Sequence, residues 1–221
     1  FYRSRFGSNL VTAAIDKYVY ILLQKRDFYN EFLVRYSKTE YVKEVKDIQH
    51  TRARAALEYL NIKDPIEITS ISDVPSGTGL GSSSSYLVAL LKALHTYKRE
   101  HVSNKKLAEE ACDIEINILK EPIGKQDQYA STFGGVIYLE GDKSGNMTVS
   151  PLNISYSTLD DLRNNTLLFS TGIQRSATEV LSNQAKEAES DEEKMKQMHI
   201  TKEIGLEIKK GRERPLSPLE K

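Results

Sequence analysis

The chain has 221 residues, and its 31 Lys and Arg residues balance its 31 Asp and Glu residues, so the formal net charge is zero. This balance argues against nucleic acid or another polyanion as the main partner, because such partners need an excess of positive charge. Hydrophobic residues make up 39% of the chain and charged residues 28%, which excludes disorder and predicts one large or two small globular domains.

The cysteine count and the apolar runs restrict the cellular setting. The single cysteine, Cys112, excludes an intramolecular disulfide and a cysteine-based zinc cluster, and it favours a reducing compartment. The longest clear apolar run, 86–91, is far shorter than the ~18 residues of a membrane span, so we expect no membrane partner. Because the first residues also lack an apolar signal-peptide core, we expect a cytoplasmic protein.

Strand-like and helix-like segments alternate along the chain. The predicted strands are 18–23 with 31–36 as its partner, 66–70, the hairpin 136–140 and 147–150, and 167–170. The predicted helices are 51–60, 86–94, 105–119 with Ser103 or Asn104 as its cap, and the charged stretch 177–210 with a break near Gly205. This order predicts a mixed fold of the α/β or α+β class.

A loop rich in glycine and serine joins the strand at 66–70 to the helix at 86–94. Alternate glycines allow positive φ values and a close backbone approach to a ligand. The serines follow at a helix N-terminus, where free N–H groups and the helix dipole favour an anion. The loop therefore predicts a phosphate-binding site formed by Pro75, Ser76, Gly77, Thr78, Gly79, Leu80, Gly81, Ser82, Ser83 and Ser84.

Two common phosphate-binding motifs are absent from this loop. It contains no GxxxxGK[ST] spacing, and the position three residues after Gly79 is Ser82, so the dinucleotide pattern GxGxxG fails as well. A flexible linker is the alternative interpretation of such a composition. The direct passage from a strand pattern into an apolar helix favours the phosphate site.

Two carboxylates follow the loop at a spacing of twelve residues. Glu115 lies on the third predicted helix, and Asp127 is expected in the loop after it. One carboxylate could hold Mg²⁺ while the other accepts the proton of an attacking hydroxyl. A solvated helix residue and an ordinary loop residue are the alternative. Lys125, two residues before Asp127, could contact phosphate or lower the pKa of Asp127, but a solvent-facing lysine is the simpler expectation.

The loop sequence Pro75-Ser-Gly-Thr-Gly-Leu-Gly-Ser-Ser-Ser-Ser85 resembles the second motif of the GHMP kinases. The resemblance implies a two-domain α/β structure with a ribosomal-protein-S5-like N-terminal domain, and a loop that holds the triphosphate of ATP. The Glu115, Pro-x-Gly-x-x-Asp127 and Gly134-Gly135 pattern is similar to the sugar-kinase branch of the family. It implies Asp127 as the catalytic base, Glu115 and Ser83 as Mg²⁺ ligands with Ser82 as the alternative serine, and Gly134 and Gly135 as substrate contacts.

Three further segments resemble the D-glycero-D-manno-heptose 7-phosphate kinase group, namely 13–18, 123–129 and 171–176. The resemblance implies that ATP phosphorylates the anomeric hydroxyl of a sugar or sugar phosphate, and L-fucose or galactose kinases are the nearest alternatives. Arg175 is a candidate substrate-phosphate ligand, because a guanidinium matches phosphate geometry; a surface arginine is the alternative. A homodimer is a candidate assembly.

Two pieces of the family pattern have no counterpart in the chain, namely the first motif, which contributes sugar contacts, and the third motif. We therefore expect the intact protein to be longer and to be a full kinase. A non-catalytic relative that binds nucleotide or sugar is the alternative. The expected division places an N-terminal ATP-binding domain at 1–152 and part of a C-terminal domain at 153–221.

Overall fold

The computed structural model describes residues 2–152, 154–169, 172, 181 and 191–213. Its helices are α1 (Tyr2–Phe6), α2 (Thr51–Tyr59), α3 (Ser82–Tyr97), α4 (Asn104–Cys112), α5 (Gln126–Phe133), α6 (Tyr156–Asn164) and α7 (Glu192–Glu213). Its strands are β1 (Ser8–Ala13), β2 (Val19–Lys25), β3 (Phe32–Arg35), β4 (Thr39–Val42), β5 (Ile66–Ser72), β6 (Val136–Gly141) and β7 (Met147–Pro151). The predicted mixture of helices and strands is confirmed.

The chain divides into two compact units. The central unit consists mainly of Ile15–Phe133, and the terminal unit combines the described residues of Phe1–Ala14, Gly134–Ile173 and Val180–Lys221. The expected boundary between 152 and 153 stays a prediction. No helix in the described part of the chain is both long and apolar enough to cross a membrane.

The central unit is built on a four-stranded sheet in the order β2-β5-β3-β4. β5 pairs antiparallel with β2 and parallel with β3, and β3 pairs antiparallel with β4. The prediction that 31–36 would pair with 18–23 is therefore wrong. β5 lies between them because the segment that leads from β3 through β4 and α2 is long enough for a crossover to a parallel neighbour.

The core of the central unit packs α2, α3 and α4 against one another and against the inner face of this sheet. Alternate residues of β2, Val19, Ile21 and Leu23, contact this core, as the period of two in a strand requires. On α3, Leu87, Leu90, Leu91 and Leu94 are fully buried. Their spacing of three and four residues places them on one helical face. The unit therefore holds α3, and with it the glycine loop, by apolar packing.

Helix starts in the central unit follow local capping chemistry. His50 accepts a hydrogen bond from the N–H of Ala53 through Nδ1 at the start of α2. Ser103 accepts one from the N–H of Lys106 at the start of α4, so of the two predicted caps Ser103 is the one observed. The third predicted helix ends its α-helical part at Cys112 and continues as a π-helical segment, Asp113–Ile118.

The terminal unit contains a three-stranded antiparallel sheet in the order β1-β6-β7, which confirms the predicted hairpin of β6 and β7. Helix α7 packs on β1. The predicted break near Gly205 is wrong, because α7 continues through it; a Cβ atom there would lie 2.7 Å from the carbonyl oxygen of Asn9. Gly205 thus allows close packing of helix on strand. The strand predicted at 167–170 is also absent, since Leu167–169 has no regular structure and residue 170 lies outside the described residues.

Candidate active site

The glycine-rich loop connects the end of β5 to the first turn of α3. Gly77, Gly79 and Gly81 have φ values of +77°, +77° and +68°, which are readily available to glycine alone. Both β5 and α3 belong to the central unit, so the loop does not link two units. The expectation that it joins a strand directly to an apolar helix is confirmed.

The N-terminus of α3 lies at the end of this loop without a side-chain cap. Gly81 is the N-cap residue, in the left-handed conformation, and it has no side chain to satisfy the first N–H groups of the helix. α3 has 16 residues, so its dipole is well developed at this end. These features suit a phosphate group, as the sequence predicts for the loop.

The serines that follow the loop differ in their environments. Ser83 is exposed, whereas Ser84 is buried and donates a hydrogen bond from Oγ to Oε2 of Glu115 over 2.8 Å. Ser85 bonds through Oγ to Oγ of Ser131 on α5 over 2.7 Å. The serine that the structure joins to Glu115 is therefore Ser84, which the sequence pattern had assigned only to phosphate.

Glu115 lies in the middle of the π-helical segment and is completely buried. Its Oε1 accepts a hydrogen bond from Nε of Arg52 over 2.8 Å, and its Oε2 accepts from Ser84 and from Nε2 of Gln128 over 2.5 Å. A buried carboxylate needs such donors to offset the loss of water. Glu115 thus joins α2, α3 and α5 at one point, and the alternative of a solvated helix residue is wrong.

Arg52 and Gln128 are parts of this site that sequence reasoning missed. Arg52 also donates from Nη2 to Oε2 of Glu121 over 2.7 Å, so its guanidinium bridges two carboxylates. Gln128 is fully buried, and no described residue donates to its Oε1. A charged residue in the alanine-rich first turns of α2 was the available signal for Arg52, and the Gln-Asp-Gln sequence around Asp127 was the signal for Gln128.

Asp127 lies in the first turn of α5, whereas the sequence had placed it in a loop. Its carboxylate lies close to the glycine loop, since a Cβ atom on Gly81 would come within 3.1 Å of Cγ of Asp127. Partial burial, and secondarily the negative charge of Glu115, raise the pKa of Asp127 above its ordinary value of 3.8. The structure therefore brings a carboxylate of increased basicity next to the predicted phosphate site.

The expectation that Lys125 faces solvent is wrong. Its side chain is only 15% exposed, and its Nζ lies 2.7 Å from Oε2 of Glu109, whose other oxygen accepts a hydrogen bond from the hydroxyl of Tyr129. The pKa of Asp127 is raised, not lowered as a lysine partner would make it. Lys125 therefore anchors the segment before α5 to α4.

Gly134, Gly135 and Arg175 are the predicted substrate residues. Gly134 and Gly135 have φ values of +68° and +64° and belong to the terminal unit. Their role as substrate contacts stays a prediction. Arg175 lies outside the described residues.

The side chains at Glu115 fit Mg²⁺ in chemical type. Mg²⁺ prefers oxygen ligands, and one carboxylate, one hydroxyl and the unpartnered Oε1 of Gln128 are oxygens of this kind. No group of three or more His, Cys, Asp or Glu side chains in the described ranges has the geometry of a metal site. The protein part of a magnesium site here would therefore be small, with phosphate oxygens and water as the remaining ligands.

Comparison with known proteins agrees with this arrangement. Residues 40–135 match the family model of the GHMP kinases N terminal domain. The chain is 33% identical, over 151 residues, to a D-glycero-alpha-D-manno-heptose 7-phosphate kinase of Campylobacter jejuni, which covers 67% of the chain and 44% of that relative. It is 31% identical over 87 residues to a mevalonate kinase of Methanothermobacter thermautotrophicus, with 39% of the chain and 28% of the relative covered.

Solved structures share the fold. A D-glycero-D-manno-heptose 1-phosphate kinase of Bacteroides thetaiotaomicron superposes with a TM-score of 0.66 and 24% identity, over 73% of this chain and 56% of that one. The mevalonate kinase of Methanococcus jannaschii gives a TM-score of 0.65 and 19% identity, over 97% and 68%. The chain spans less than half the length of the curated relatives that it matches.

Proposed function

We propose that the protein transfers the γ-phosphoryl group of ATP to a hydroxyl group of a sugar or sugar phosphate, because its residues 40–135 match the GHMP kinases N terminal domain. The favoured acceptor is the anomeric hydroxyl of D-glycero-D-manno-heptose 7-phosphate. The similarity to the Campylobacter heptose 7-phosphate kinase supports this choice.

The observation that carries the proposal is the position of Asp127 against Gly81. Phosphoryl transfer needs an acceptor hydroxyl held in line with the γ-phosphate, and a base that takes its proton. Asp127 lies next to the last glycine of the loop that would hold the phosphates. Its raised pKa makes it a stronger base than an ordinary aspartate.

Each group has a defined part in the proposed reaction. The N–H groups around Gly77–85 and the N-terminus of α3 hold the phosphates of ATP. Asp127 accepts the proton of the sugar hydroxyl while the oxygen of that hydroxyl forms a bond to the γ-phosphorus of ATP. The bond between the γ-phosphorus and the oxygen that bridges it to the β-phosphate breaks, and ADP is released. Mg²⁺, held by Glu115 with Ser83 or Ser84, would neutralise charge on the phosphates.

Substrate recognition is proposed to involve Gly134, Gly135 and Arg175, with small sugars or sugar phosphates as the partners and a homodimer as the candidate assembly. The protein is proposed to act in the cytoplasm, since a chain with a single cysteine, Cys112, fits a reducing compartment. Galactose or L-fucose as the acceptor remains the alternative within the same reaction class.

A coupled assay of ADP release by the full-length protein tests the proposal. Heptose 7-phosphate, fucose and galactose are offered in turn with ATP and Mg²⁺, and turnover with the heptose phosphate is the expected result. Turnover only with fucose or galactose would move the assignment to another sugar. Absence of turnover with all three sugars, in a protein that binds ATP, would overturn the kinase proposal in favour of a non-catalytic binding protein.

The role of Asp127 is tested by Asp127→Asn, with Asp64→Asn as the control. Both substitutions remove one negative charge from the central unit, but Asp64 lies between α2 and β5 and is not part of the candidate site. Loss of the base should lower kcat by about 10²–10⁴-fold, with the Kd of ATP within about twofold of wild type. Wild-type kcat in the Asp127→Asn enzyme would remove Asp127 from the mechanism.

A further inference from the structure

Arg52 holds together the segment that leads from Glu115 to Asp127. It lies in the first turn of α2, and its side chain is only 17% exposed. Nε donates to Glu115 and Nη2 donates to Glu121, so two edges of one guanidinium contact two carboxylates that are six residues apart in the chain. A planar guanidinium can make both contacts in fixed directions, whereas an ammonium group is a single point of charge.

The backbone between the two carboxylates makes a sharp reversal. Leu119 donates from its N–H to the carbonyl of Ile114, Lys120 has a φ of +56°, and Glu121 donates from its N–H to the carbonyl of Glu115 over 2.9 Å. A non-glycine residue with positive φ persists when the surrounding structure imposes it. The bridge from Arg52 to both sides of Lys120 provides such a constraint.

This reversal sets the course of the chain toward α5. Pro122 and three further residues lead from Glu121 to Gln126, where α5 begins, and Asp127 follows. The same carboxylate of Glu115 also binds Gln128, the residue after Asp127. The position of Asp127 is thus fixed from both sides by contacts that converge on Glu115 and, through it, on Arg52.

We propose that Arg52 is a positioning residue for phosphoryl transfer, which places Asp127 by fixing Glu115 and Glu121 on either side of the turn at Lys120. This proposal rests on the proposed kinase function. Arg52 acts through these carboxylates, and it is not proposed to contact the substrate.

The test compares Arg52→Lys with Arg54→Lys in the full-length protein. Arg54 lies on the same helix, two residues further on, and its guanidinium donates to the backbone carbonyl of Ile48, so its substitution controls for helix α2 and for charge. Arg52→Lys should lower kcat by about 10–100-fold, the effect of a displaced catalytic group, while the KM for ATP stays within about twofold. Arg54→Lys should leave kcat unchanged.

Hydrogen exchange provides a measurement that does not depend on turnover. In Arg52→Lys the amides of Leu119 and Glu121 should exchange at least about tenfold faster than in wild type, because local opening governs their exchange. The same amides should be unchanged in Arg54→Lys. Should the wild-type protein show no turnover with any sugar, the kinase proposal fails, and the exchange rates still decide whether Arg52 holds the turn at Lys120.

Glu121→Gln keeps the proposal testable if Arg52→Lys does not fold. It weakens one edge of the bridge and leaves the buried pair of Arg52 and Glu115 in place. It should lower kcat by several-fold. Where Arg52→Lys does fold, the contact from Arg52 to Glu121 is already altered in it, so adding Glu121→Gln should lower kcat little further. Wild-type kcat and wild-type exchange rates in both variants would overturn the proposal.

Discussion

The central and terminal units differ in how completely they bury their apolar side chains. Among the described residues, the buried apolar side chains of the terminal unit are Ile137, Tyr138, Leu139 and Met147, and all the others lie in the central unit. Helix α6 of the terminal unit buries no residue at all. The site carboxylates lie in the unit with the larger core, where packing holds side chains in one position.

Exposed apolar residues in the terminal unit are numerous and close together in sequence. Leu167, Leu168 and Phe169 are each more than three-quarters exposed, and Ile200, Ile204 and Ile208 follow one face of α7 at a spacing of four. Exposed apolar surface of this extent is typical of surface that contacts another part of a protein or a partner. The central unit therefore has the large apolar core of a folded domain, whereas the described part of the terminal unit has a core of few residues.

The largest expected effect is on the free energy of unfolding, when one leucine in each unit is replaced by alanine. Leu90→Ala in α3 should lower the free energy of unfolding by about 2–5 kcal/mol, because Leu90 is fully buried and its loss leaves a cavity. Leu168→Ala, the matched control at 77% exposure, should change it by no more than about 0.5 kcal/mol. Urea denaturation followed by circular dichroism measures both. An equal decrease in the free energy of unfolding for both variants would show that Leu168 is packed in solution, and it would contradict the difference between the two units.

A smaller effect is expected from the helix caps. Ser103 caps α4 of the central unit, and Ser155 caps α6 of the terminal unit by accepting from the N–H of Thr158. Ser103→Ala should lower the free energy of global unfolding by about 1 kcal/mol. Ser155→Ala should speed amide exchange within α6 and leave global unfolding unchanged, because α6 buries no residue that couples it to a core. A global loss in Ser155→Ala would contradict this difference.

The smallest effect concerns the stability contribution of Asp127. Its pKa is raised in the folded protein, so between 3.8 and the raised value the folded state binds more protons than the unfolded state. The free energy of unfolding therefore falls as pH rises through that window, and ionised Asp127 costs stability above it. Asp127→Asn should unfold at a slightly higher temperature than wild type at pH 7, with the gain absent below pH 3.8.

Asp64→Asn is again the control for that measurement, since it removes the same charge outside the candidate site. Its melting temperature should match that of wild type at both pH values. A lower melting temperature for Asp127→Asn at pH 7 would mean that ionised Asp127 stabilises the fold, which is the opposite of the expected sign.

The sequence was sufficient for the elements that repeat a strong pattern. The four leucines of α3 have helical spacing, and β2, β5 and the β6-β7 hairpin consist largely of strand-forming residues, so each was predicted within a few residues of its observed bounds. Helices α1, α5 and α6 and strands β1 and β4 were missed. Both α5 and α6 have polar or exposed residues at most positions, so few apolar residues indicate them in the sequence, and tertiary contacts or caps decide their structure.

The candidate site was predicted only where a local residue pattern indicates it. The glycine loop, Glu115 and Asp127 carry residue types and spacings that indicate chemistry by themselves. The bridge from Arg52 to Glu115 and Glu121 spans 63 and 69 residues of the chain, and no local pattern records a contact over that separation. The choice of Ser84 over Ser83 as the partner of Glu115 depends on the rotation of α3, which packing of its leucines sets.

The π-helical segment at Asp113–Ile118 has a consequence for what insertions and deletions the protein can accept. Each residue of an α-helix turns the chain by about 100°, whereas a wider π-helical turn takes in one more residue over the same rise. The segment thus changes the direction in which later side chains leave the helix axis. Helix α4 keeps its apolar stripe toward the core, while Glu115 contacts Arg52 and Gln128. Deletion of one residue within this segment would return its turn to the width of an α-helix and leave the helical register on either side unchanged.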